Sequence, residues 1–329
     1  MTPAATTEKE ALPPEISASK PKVWQRPWFR IAGSAIILIL LFTILPAKQI
    51  VAAVKRIPPV LGLGLLCGYL GLHLLGVVKW RILINSAGAD LGLFAATRCY
   101  YGGLFGNVFL PSLVGGDVVR AGMAFSHSRS KSAIVLGSLM DRVQDVLGLA
   151  TITAIGVLLL PGTLDYRTHK LFWMLTGVLV LGGAACLGLV IAVPARKLPF
   201  KARRLMAKLR RGVRSMYRRP AKMILAFLLG MGLQVSQVAI NFWLGEATGL
   251  HISPKLWLFA WPLAKISALL PVTQGGIGVR DAALISLLAP FGIAPASAAA
   301  VSLTFQAIVL TGGLIAGFIA FVLGRHARK

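Results

Sequence analysis

The fold class that the sequence predicts is an all-α, polytopic integral membrane protein of about six to eight transmembrane helices, with two re-entrant or broken-helix hairpins in an inverted repeat. Three observations predict it. Of 329 residues, 56% are hydrophobic and 14% charged, with a mean hydropathy of +0.76, whereas soluble domains carry roughly 25% charged residues. Uncharged runs at Ile31–Ala47, Ile57–Val78, Leu171–Ala195, Met223–Gly245 and Ala282–Gly324 bracket or exceed the roughly 20 residues needed to cross hydrocarbon. Finally, one pattern occurs twice: Pro, three residues, Gly-Gly, three residues, Arg, at Pro111 to Arg120 and again at Pro271 to Arg280.

Residues 1–30 form a polar tail with Pro3, Pro13 and Pro14, ending in an anchor where Trp24, Trp28 and Phe29 sit among Lys20, Lys22, Arg26 and Arg30. Aromatic and basic residues mixed in this way belong at a membrane face. No small-residue cleavage site follows the first apolar run, so it is expected to be a retained span. Residues 31–195 form an N-terminal membrane half. The second run leads to Lys79 and Arg81, which read as a cytoplasmic end. A helix from Ser132 to Leu160 would be about 43 Å long, more than the roughly 30 Å hydrocarbon core.

Twelve of the 35 Lys and Arg fall between Arg196 and Lys222, with no acid among them. This is the positive-inside signature of a cytoplasmic loop at 196–222. Within it Leu205, Leu209, Val213 and Met216 recur at helical spacing opposite Lys201, Arg204, Lys208 and Arg211, the pattern of an interfacial helix on an anionic leaflet. The net charge of +25 therefore points to the bilayer rather than to nucleic acid, since no aromatic interleaving or groove-reading motif accompanies it. A C-terminal membrane half at 223–324 follows, its last run divided by Pro290 and Pro295, then a tail at 325–329.

With both termini cytoplasmic, the crossings close only if 91–125 begins and ends inside while 254–290 begins and ends outside. The two repeats then enter from opposite faces. In each, Pro stops the incoming helix, Gly115-Gly116 or Gly275-Gly276 permits a sharp turn or close approach, and the next helix starts with free amides. Those amides plus Arg120 or Arg280 suit phosphate oxygens, which a guanidinium fork meets better than an ammonium does. A packing role for the glycines is the alternative.

Other charged positions fit around these motifs. Asp141 and Asp145 share a helical face, and with Arg142 they either mark the cytoplasmic interface, or pair with Arg142 or Arg120 to hold the hairpin, or supply an Asp as a proton-coupling group. Asp117 follows the first Gly pair, whereas Asp281 follows Arg280, so the halves differ electrically. Lys265 either adds a cation to the site or snorkels to the interface. Gln234, Gln237 and Asn241 lie on one helical face, expected to point into the protein. The three cysteines and five histidines are scattered without metal-ligand spacing, so no metal or other cofactor is expected. No P-loop is present, and no motif gathers a nucleophile, base and orienter, which weighs against an enzyme.

GGDVVR at Gly115–Arg120, Asp141-Arg142 with Asp145, and PVTQGGIGVRD at Pro271–Asp281 together resemble the flippase-like family, the lysylphosphatidylglycerol synthase transmembrane region, over about Ile31 to Gly324. In that family the second motif usually ends in Glu, where this chain has the shorter Asp281. Relatives that also carry a cytosolic aminoacyl-transfer domain extend beyond the membrane region. Only five residues follow Gly324 here, so a stand-alone member without lysyl transfer is expected. The resemblance implies translocation of an anionic lipid across the cytoplasmic membrane, with Arg120, Arg280, Gly115, Gly116, Gly275, Gly276, Asp117, Asp141, Arg142 and Asp281 as the substrate-binding set. The alternative is an accessory component or enzyme of lipid or envelope biosynthesis.

Overall fold

The computed structural model describes residues 47–110, 115–128, 130–160, 200–268 and 278–326, together with Met174, Gly177 and Gly188. The first expected span, most of the run at 171–195, Pro111, Pro271, Gly275 and Gly276 lie outside the described residues. Ten α-helices are described: α1 Ala47–Lys55, α2 Pro59–Ser86, α3 Leu93–Phe109, α4 Gly115–Phe125, α5 Lys131–Leu158, α6 Phe200–Tyr217, α7 Pro220–Thr248, α8 Pro254–Ser267, α9 Val279–Leu288 and α10 Pro295–His326. No strand occurs among them.

Helices α2, α7 and α10 are long and apolar enough to cross a membrane. Helix α5 matches α2 at 28 residues, but Asp141, Arg142 and Asp145 lie in its middle. Proline begins α2, α7, α8 and α10, where its missing amide is one of the helix's orphan donors and its fixed φ suits the first turn. Ser130 caps α5 by accepting from the Ala133 amide at 3.4 Å, and Gly249 at φ 82° closes α7.

The order of elements repeats: long helix, two short helices, long helix, first as α2 to α5 and again as α7 to α10. Each short pair packs on the long helix that closes the other set, α3 on α10 and α8 on α5. Glycines set these approaches. A Cβ on Gly156 of α5 would strike the Phe259 backbone of α8, at 2.5 Å from its amide nitrogen, and one on Gly313 of α10 would come within 3.2 Å of the Leu104 carbonyl of α3. Two buried clusters result. One gathers around Trp257, Phe259 and Trp261 of α8, the other around Trp80, Cys99, Tyr100 and Tyr101 with Ala316 and Ala320 of α10.

Helix α6 is amphipathic as expected. Met216 is 2% exposed and packs with Leu83, Leu136 and Ala226, while Leu209 and Val213 are half-buried against them. Arg203, Arg204, Lys208, Arg211 and Arg214 are exposed. One expectation fails here. Lys79, read as a cytoplasmic end, is 2% exposed and lies inside α2, which runs seven residues further to Ser86. Its ammonium is held inside by carboxylates of α5, which offset the cost of an interior charge.

Candidate functional site

Between the two short-helix pairs lies a cavity of about 210 Å³, lined by side chains from α2, α3, α4, α5, α7, α8, α9 and α10. Helix α2 supplies one face of it: Tyr69, His73, Gly76 and Lys79 recur at the spacing that keeps side chains on one side of a helix. Gly76 leaves room for the Tyr100 ring, and Gly230 of α7 for the Lys79 stem, whose Cε would be 3.1 Å from an added Cβ. Gln234 and Gln237 reach in from α7, and both are buried with Asn241, the face that the sequence assigned to the interior.

The first hairpin is tied to α5 through charge. Arg120 Nη2 donates to Asp117 at 2.9 Å and to Asp141 at 2.8 Å. Lys79 Nζ lies 3.0 Å from Asp141 and 2.5 Å from Asp145. Arg142 donates to both oxygens of Asp117, with Nη2 at 2.6 Å from Oδ1, and lies 3.6 Å from Asp145. Three cations thus interleave with three carboxylates, and the pairing of Arg120 with Asp141, weighed from the sequence, is present. The Arg120 guanidinium also stands 4.8 Å from the Trp80 ring centre and 5.2 Å from that of Tyr100, distances at which a ring face attracts a cation.

The second hairpin is built differently. Asp281, in the first turn of α9, accepts from the Gly278 amide at 2.9 Å, from Ser302 Oγ, and from Arg280 Nη2 at 3.0 Å. A carboxylate there satisfies an orphan amide and complements the helix dipole, so Asp281 closes its contacts locally. Arg280 also donates to Gln306 at 3.0 Å and lies 5.3 Å from the Trp261 ring. Lys265 donates to Gln234 at 2.7 Å and Gln237 at 2.6 Å. It is half-buried and lines the cavity.

The cavity lining therefore includes Arg120, Arg280, Asp141 and Arg142 of the expected set, with Asp117 and Asp281 bonded directly behind them. Gly115 and Gly116 act at the α3–α4 contact. A Cβ on Gly103 would lie 2.8 Å from the Gly116 carbonyl, and the Gly116 amide donates to Asn107 Oδ1 at 2.9 Å. Ser267, four residues before Pro271 as Asn107 is before Pro111, instead donates to the Ala264 carbonyl at 2.7 Å, so those two positions do different work. The amides of Gly116 and Gly278 are engaged by side chains of the protein itself, and Lys79, Arg120, Arg142, Lys265 and Arg280 are the cations that line the cavity.

Sequence reasoning did not single out Lys79, His73, Tyr100, Trp261 or Gln306 as site residues. A charge ending an apolar run was the available signal for Lys79, and a polar side chain inside the run Ala282–Gly324 for Gln306, but the aromatic residues have none. No group of three or more metal-ligating side chains occurs among the described residues.

No curated protein matches the chain in sequence. The family model described as the lysylphosphatidylglycerol synthase TM region matches residues 28–317, which takes in both hairpins and every residue of the cavity, and the chain belongs to that family.

Proposed function

We propose that the protein translocates an anionic lipid, a phospholipid or a polyprenyl-phosphate-linked lipid, across the cytoplasmic membrane by passing its headgroup through the central cavity while the tail stays in the bilayer. The observation that carries this reading is the cavity between the two hairpins, into which Lys79, Arg120, Arg142, Lys265 and Arg280 all face. An anionic headgroup crossing hydrocarbon unaided loses its water at a cost of many kcal/mol. Cations and amide donors in a protein interior replace that water.

In this reading Arg120 and Arg280 are the phosphate ligands. Gly115 and Gly116, with Gly275 and Gly276 in the second motif, shape the hairpin tips, and Asp117, Asp141, Arg142 and Asp281 hold the arginines in place. The repeated element order, with each short pair packed on the other set's closing helix, supports an inverted repeat whose two halves exchange conformations to exchange the open side. Both termini face the cytoplasm, where the basic α6 lies on the anionic leaflet. No nucleotide-binding loop occurs in the sequence, which fits downhill exchange or coupling to an ion gradient.

Reconstitution tests the reading. In proteoliposomes carrying headgroup-labelled phosphatidylglycerol, the wild type should expose the inner-leaflet label to an impermeant quencher, and Arg280→Ala should slow this at least tenfold, the loss of one charge-assisted contact. Protein-containing vesicles that protect the inner leaflet as fully as empty ones, for phosphatidylglycerol and for a polyprenyl phosphate alike, would refute it.

A further inference from the structure

The two sides of the cavity differ in charge balance. Beside the first hairpin, Lys79, Arg120 and Arg142 meet Asp117, Asp141 and Asp145 one for one. Beside the second, Lys265 and Arg280 share a single carboxylate, Asp281, and Arg280 is the cation that pairs with it. Lys265 instead touches two neutral amide oxygens, those of Gln234 and Gln237. No carboxylate lies within ion-pair distance of it among the described residues.

Amide oxygens satisfy an ammonium's donors without cancelling its charge. Lys carries three donors, and among the described residues two are accounted for, so one remains for a ligand. An uncompensated cation in an apolar interior is costly, and the cost is lifted when an anion arrives. Counting Lys, Arg and Asp, the described residues around the cavity hold one positive charge in excess.

We propose, building on lipid translocation as the function, that Lys265 framed by Gln234 and Gln237 is a further oxyanion subsite beside Arg120 and Arg280 and that it selects a phosphodiester headgroup of one net negative charge. A single charge makes the occupied centre neutral. A zwitterionic headgroup leaves the ammonium uncompensated, and a headgroup with two charges overshoots; either way a buried charge is left over. Gln234 and Gln237, three residues apart on one face of α7, fix the ammonium in position in the cavity that Arg120 and Arg280 also line.

The test is native mass spectrometry of the full chain released from mixed micelles of phosphatidylglycerol, phosphatidylethanolamine and cardiolipin. The wild type should retain phosphatidylglycerol in excess over the other two. Lys265→Gln should cut that excess about tenfold and Lys265→Arg should keep most of it, as expected for a charge-assisted bond. The wild-type comparison needs no variant, and equal retention of phosphatidylethanolamine or cardiolipin overturns the single-charge selection. A folded Lys265→Gln protein with unchanged excess, beside an Arg280→Ala protein that loses it, overturns the subsite and leaves lipid translocation standing. If neither variant changes the profile, both readings fall. Glycerophosphoglycerol, the deacylated headgroup, should not displace the lipid; displacement would reassign the subsite to a water-soluble phosphodiester.

Discussion

Replacing Asp141 by Asn tests the ionic network at its most connected member. Asp141 is 4% exposed and lies 3.0 Å from Lys79 and 2.8 Å from Arg120. Removing one partner of a buried pair usually costs about 3 to 5 kcal/mol, because a charge is left without compensation. Here neither cation is left alone, since Lys79 keeps Asp145 at 2.5 Å and Arg120 keeps Asp117 at 2.9 Å. The expected loss is therefore nearer the value of one charge-assisted hydrogen bond, about 2 to 3 kcal/mol. For a chain of this size that corresponds to a fall of about 3 to 4 °C in the apparent melting temperature of the detergent-solubilised protein. Lys79→Met removes the opposing charge at similar volume. If the two side chains interact as the geometry requires, the double variant is less destabilised than the sum of the singles by at least about 1 kcal/mol, since residues in contact couple and distant ones do not. Melting of wild type, both singles and the double decides it. Additivity within about 0.5 kcal/mol would refute the network as a stabilising unit.

Other expectations follow from packing and topology. Gly103→Ala places a Cβ 2.8 Å from the Gly116 carbonyl, so the first hairpin cannot close without backbone movement; a loss of about 1 to 3 kcal/mol is expected from overpacking, read as a lower melting temperature, and an unchanged value would refute the close α3–α4 contact. Met216→Ala on the otherwise basic α6 should cost about 2 to 5 kcal/mol, as for other buried Met truncations, while neutralising Arg203, Arg204, Lys208, Arg211 and Arg214 together should weaken or reorient lipid movement without abolishing it. A protein that acts as a scaffold for partners would lose its activity with those charges. Single cysteines at Ser126 and Ser253, both exposed, in a background lacking Cys67, Cys99 and Cys186, should react with an impermeant thiol reagent from opposite faces of the membrane; reaction from the same face would sink the inverted repeat.

What the sequence determined by itself is the part governed by composition and short-range pattern. Apolar runs located α2, α7 and α10, because hydrocarbon thickness sets a minimum length for a crossing helix. Helical spacing placed Gln234, Gln237 and Asn241 on a buried face and Met216 under α6, because a 3.6-residue period fixes which side chains share a side. The doubled motif marked the starts of α4 and α9, each of which begins inside one copy of it. Tertiary structure alone decided who pairs with whom. Lys79 looked like an interface residue because a charge ending an apolar run usually is one; 62 residues separate it from Asp141, and only the packing of α2 on α5 supplies the counter-charge that lets it stay inside. The same limit hid the difference between the two arginines. Arg120 sits among alternating charges and Arg280 against a capped carboxylate and Gln306. Electrostatic partners in a low-dielectric interior are set by distance in space, which a linear pattern does not record.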